Sequence, residues 1–98
     1  MEKKENVIQV IEEKEITQML AYGWLSLSDS QKANFVEDIL LNLITGYKVK
    51  IICDYISKTL SIGAIYDIMG WISQLTIGQY NVYFEVTSVD SFIAELVD

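Results

Sequence analysis

Between Ile62 and Leu75 the chain divides a helical wheel in two. At about 100° per residue, Trp71, Ala64, Leu75, Ile68, Ile72, Ile65, Met69 and Ile62 fill one continuous half. Ser73, Tyr66, Gly70, Gly63, Gln74 and Asp67 fill the other, without one aliphatic side chain among them. Strand alternation through Leu60, Ile62, Ala64 and Tyr66 is the competing pattern and fits less well. The split predicts a helix over residues 61–75, with Ser61 as N-cap, laid on a sheet by its aliphatic half. Gly63 and Gly70 then stand one above the other on the outward half, where each costs a helix about 1 kcal/mol against alanine. Two explanations are open. Either Gly63 lies in a frayed first turn and Gly70 makes room for a neighbouring element, or the pair leaves a shallow notch where another backbone comes close. In the second case Tyr66 is the anchor and Asp67 and Gln74 are polar contacts.

The other segments supply the rest of an α+β domain. Ser28-Asp-Ser-Gln31 has the form of a capping box. Phe35, Val36, Ile39, Leu40, Leu43 and Ile44 then recur at helical spacing up to Gly46, which stands where a C-terminal cap belongs. Tyr47, Val49, Ile51, Cys53 and Tyr55 alternate, as do Tyr80, Val82, Phe84 and Val86, and both runs predict strands. If those strands pair, Glu85 comes near Lys48 or Lys50. Ile16, Met19, Leu20, Gly23 and Leu27 suggest a helix over residues 13–25, and residues 6–11 suit extended chain. Ser88, followed by Val89, Phe92, Ile93 and Leu96, predicts a last helix. The expected order is (β)–α–α–β–α–β–α: a single domain over residues 1–98, with about four helices on a small antiparallel sheet of two or three strands.

Composition narrows the chemistry. All seven basic side chains are lysines, and histidine is absent. No guanidinium is present to grip a phosphate or carboxylate, and the commonest general base and metal ligand is missing. Cys53 is the one thiol, in the apolar run Val49–Cys53, so it reads as an inert core residue in a reducing compartment. Glu12, Glu13 and Glu15 surround Lys14 as in a solvated helix end. These features predict no enzyme, no cofactor and no metal. The net charge of −7 opposes direct binding to nucleic acid or to anionic membranes and favours a partner with a basic surface. Lys48, Lys50 and Lys58 are too few for a nucleic-acid footprint. No apolar run reaches the roughly 18 residues of a spanning helix, and no signal-type segment follows Met-Glu-Lys-Lys-Glu-Asn; the cytosol of a host cell is the expected compartment. Residues 59–98 hold five acids, Asp67, Glu85, Asp90, Glu95 and Asp98, and no positive charge.

The order Leu60-Ser-Ile-Gly-Ala-Ile-Tyr-Asp-Ile, followed by Tyr80-Asn-Val-Tyr-Phe-Glu-Val, resembles a helix–strand unit of small bacteriophage and mobile-element accessory proteins. In that unit Thr/Ser-Ile-Gly-Glu-Leu opens the helix; here Ala64 replaces the Glu and the reciprocal cap is lost. The similarity covers about a quarter of the chain and carries no catalytic residue. It implies a non-enzymatic inhibitor, anti-CRISPR-like, that binds a host nucleic-acid-handling protein. The candidate contact residues are Gly63, Tyr66, Asp67, Gly70, Gln74 and Glu85. The alternative is a homodimeric structural or assembly subunit packing through the same Gly63 and Gly70 face.

Overall fold

The computed structural model describes residues 15–53, 58–76 and 79–97. Strand β1 (Ile16–Leu20) leads through a 3₁₀ turn at Trp24–Ser26 into helix α1 (Asp29–Thr45), strand β2 (Lys48–Ile52) and helix α2 (Lys58–Thr76). A hairpin of β3 (Asn81–Ser88) and β4 (Ser91–Val97) follows. The four strands form one sheet in the order β1-β2-β4-β3. Strands β1 and β2 run parallel across the α1 crossover, while β2–β4 and β3–β4 are antiparallel. The mixed α and β composition agrees with expectation. The sheet is mixed rather than antiparallel and has four strands, and the described residues hold two α-helices rather than four.

The first helix begins and ends where its sequence says. Ser28 Oγ accepts the Gln31 N–H at 3.2 Å, and the Ser28 N–H donates to Gln31 Oε1 at 2.9 Å. Gly46 ends the helix at φ 110°, a left-handed conformation open to glycine at little cost. Val36, Ile39 and Leu43 are buried, whereas Ile44 lies half exposed on the outer side.

Two segments correct the sequence pattern. Residues 16–20 are a strand, not part of a helix. Ile16 and Leu20 point to the open face of the sheet and Thr17 and Met19 to the helical side, so apolar side chains on both faces imitate a spacing of three and four. Gly23 adopts φ 62° and turns the chain into the Trp24 corner, which no continuous helix allows. The carboxy-terminal segment is a strand as well. Phe92, Ala94 and Leu96 face inward, and Ile93 lies on the other side of the same strand. Pairing with both β2 and β3 outweighs the local spacing. Ser88 therefore closes a hairpin instead of capping a helix. The expected extended residues 6–11 and the inward Tyr55 lie outside the described residues.

Both helices cover one face of the sheet. Val49, Ile51, Phe92 and Ala94 meet Val36, Ile39 and Leu43 from α1 and Ala64, Ile65, Ile68 and Ile72 from α2 in one buried cluster. Each large aliphatic side chain taken out of water here contributes about 1.5–3 kcal/mol. Among the described residues no helix is long and apolar enough to cross a membrane.

Candidate functional site

Helix α2 starts three residues before the predicted Ser61 cap, and Ser61 is buried within it. The aliphatic half of the wheel turns inward as predicted at Ala64, Ile65, Ile68 and Ile72, while Ile62 and Leu75 stay partly exposed at its margins. The helix has one flank against α1 and one above the edge of the sheet.

The α1 flank is closed. Trp24 is fully buried beneath it, tilted against Phe35 at 5.7 Å between ring centroids and edge-on to Trp71 at 6.3 Å. The indole Nε1–H donates to Asp67 Oδ2 at 2.6 Å. Lys32 Nζ lies 3.6 Å from the same oxygen and 5.4 Å from the Trp24 ring centroid. Asp67 thus satisfies the indole donor, pairs with Lys32, and links the 3₁₀ turn, α1 and α2. It stands on the polar half, as the wheel predicts, and its side chain, still 40% exposed, is engaged by Trp24 and Lys32. The sequence pattern does not single out Trp24, because a helix over residues 13–25 gives it no special position. The signal was present in the pair Gly23-Trp24, a turn residue beside the largest side chain.

The outward strip is different. Gly63, Tyr66, Gly70 and Gln74 are all exposed, Tyr66 at 64%. A methyl group at Gly63 or Gly70 would meet no atom within 4 Å, and both residues have φ in the ordinary negative range. Because α2 begins at Lys58, Gly63 stands in its second turn, not in a frayed first one. Among the described residues nothing beside Gly70 requires room. Neither explanation from within the fold accounts for the two glycines.

Beside Tyr66 an open apolar groove of about 290 Å³ runs between Ile62, Ile65 and Tyr66 of α2 and Val86, Thr87, Ser88 and Val89 of the hairpin. The sequence did not point to it, since its two walls lie far apart in the chain. Its far end is stiffened by hydroxyls: Ser88 Oγ donates to Asp90 Oδ1 at 2.6 Å, and Thr87 and Ser88 lie 2.8 and 2.7 Å from Ser91 Oγ.

Glu85 is not part of this surface. Strand β4 lies between β2 and β3, and Ile93 pairs with both Lys50 and Glu85. The expected contact of Glu85 with Lys48 or Lys50 across neighbouring strands is therefore not formed. Alternation from the inward Phe84 places Glu85 on the face opposite the helices. Cys53 is buried, and burial first and the Asp90 carboxylate second push its thiol up to about 11, so it stays protonated and unreactive at neutral pH. Among the described residues no group of three or more His, Cys, Asp or Glu side chains is placed to hold a metal ion.

No protein-family model matches the chain, and neither does any curated protein or solved structure.

Proposed function

We propose that the protein is a non-enzymatic interaction module of the phage accessory type, an anti-CRISPR-like inhibitor. It seats the outer strip of α2 on the basic surface of a host nucleic-acid-handling protein. One observation carries this: Gly63 and Gly70 leave the helix backbone bare where nothing among the described residues asks for it. A helix that gives up about 1 kcal/mol at each of two exposed positions is best explained by close approach of another backbone, with Tyr66 as an aromatic anchor at its centre. The charge on the same side of the molecule supports the choice of partner. Asp29, Glu37 and Asp38 are exposed on α1, while Lys32 is drawn in against Asp67 and Trp24. The helical layer therefore presents carboxylates that attract a basic surface and speed encounter with it.

Immobilised full-length chain, offered a host lysate, is expected to capture a nucleic-acid-handling protein. Gly70→Leu should abolish that capture without loss of fold, since the added side chain projects into open space. Raising salt should weaken it. Capture that survives Gly70→Leu, or no capture at all, contradicts the proposal. A dimer in solution that Gly70→Leu abolishes would instead assign the strip to a second copy of the chain.

A further inference from the structure

The outer edge of β3 is a second docking surface, and we infer that its occupant is β3 of another copy, paired antiparallel about a twofold axis at Phe84. Strand β3 lies at the end of the sheet order, so among the described residues one row of its main-chain donors and acceptors has no strand beside it. The devices that usually blunt an exposed edge are scarce. Over the eight residues Asn81–Ser88 there is no proline and no lysine, Glu85 is the one charge, and the irregularity between Val86 and Ser88 falls at the hairpin end.

The hydrogen-bond pattern identifies the available groups. The Cys53 N–H donates to the Asp90 carbonyl at 2.7 Å. Alternation from Asp90 directs the main-chain groups of Phe92 and Ala94 toward β2 and those of Ile93 and Glu95 toward β3. Tyr83 and Glu85, which pair with Glu95 and Ile93, are thus engaged with β4. Val82, Phe84 and Val86 present their N–H and C=O to the free edge. An antiparallel pair centred on Phe84 brings together these same residues: Phe84 with its mate, and Val82 with the second copy's Val86.

The side chains are self-complementary in that register. On the helical side the row reads valine against valine on either side of a phenylalanine pair. On the opposite side the Tyr83 hydroxyl meets the second copy's Glu85, and Asn81 meets Thr87, so no two carboxylates face each other directly. Val86 turns to the core side, where it pairs with Phe92, yet it is 54% exposed because the sheet stops there. The apolar groove against Ile62 and Ile65 opens beside it. A second β3 covers both. The Gly63 and Gly70 strip points away from the sheet and stays open, so the dimer presents it twice.

Sedimentation of the full chain is expected to give twice the 11.2 kDa monomer mass. Val86→Lys should abolish the dimer with the circular dichroism spectrum unchanged, and Gly70→Leu should leave it intact. Tyr83→Cys chains mixed with Glu85→Cys chains should form mixed disulfides faster than either forms with itself, because non-hydrogen-bonded neighbours lie within disulfide reach. Both cysteine positions are exposed, so this arm holds even if Val86→Lys fails to fold. A monomer at the highest attainable concentration overturns the inference. So does a dimer that survives Val86→Lys, or a disulfide pattern with no preference for the mixed pair.

Discussion

On the flank of α2 that faces α1, Asp67 joins Trp24 and Lys32 in a closed arrangement. One turn away on the same helix, Gly63, Tyr66, Gly70 and Gln74 lie open to water. Asp67 and these four residues belong to the same polar half of the helical wheel, so polarity alone does not tell what a residue is for. What separates the two regions is whether a neighbouring element needs them. A buried indole N–H requires an acceptor, and Asp67 supplies it. No element among the described residues reaches the glycines. Stability therefore resides on one flank, and the other is the one we propose meets a partner.

Substitutions should separate the two regions by size of effect. Trp24→Ala should cost the most, about 3–5 kcal/mol in urea denaturation, because it empties the fully buried corner. A loss below about 1 kcal/mol would mean that the corner does not hold the helices together. Asp67→Ala should cost about 1–3 kcal/mol by leaving the indole donor unpaired, and the same change should cost less in a Trp24→Phe background, where no indole donor is left. A neutral Asp67→Ala would return the residue to the docking strip. Tyr66→Ala should change stability by no more than about 0.5 kcal/mol, as expected of an exposed position, while removing partner capture. A large thermal destabilisation would show that the strip carries internal load.

Much of the helical layer was legible in the sequence, and the physical reason is that its signals are local. The Ser28–Gln31 box, the Gly46 stop and the two-sided wheel of α2 each rest on residues a few positions apart. The sheet was harder. Ile16 and Leu20 on the open face, and Ile93 opposite Phe92 and Ala94, place apolar side chains on both sides of a strand. A strand of that kind loses its alternation and resembles a helix. Long-range pairing, which local spacing cannot register, then decides the outcome. The same limit applies to the candidate site. The bare glycines and Tyr66 were visible from the wheel alone. The role of Asp67 depends on Trp24, 43 residues away in sequence, and the groove depends on a hairpin whose second strand the sequence pattern reads as a helix. Glu85 was grouped with the strip by charge, and the sheet order separates them.

The most direct test needs no partner. Urea denaturation of Gly63→Ala/Gly70→Ala should give a protein more stable than the parent by about 1–2 kcal/mol, because alanine restores helix propensity and its methyl groups project into open space. A variant equal to the parent, or less stable, would mean that the fold itself requires the two glycines, and the outer strip of α2 would lose its claim to be a surface kept bare for another molecule.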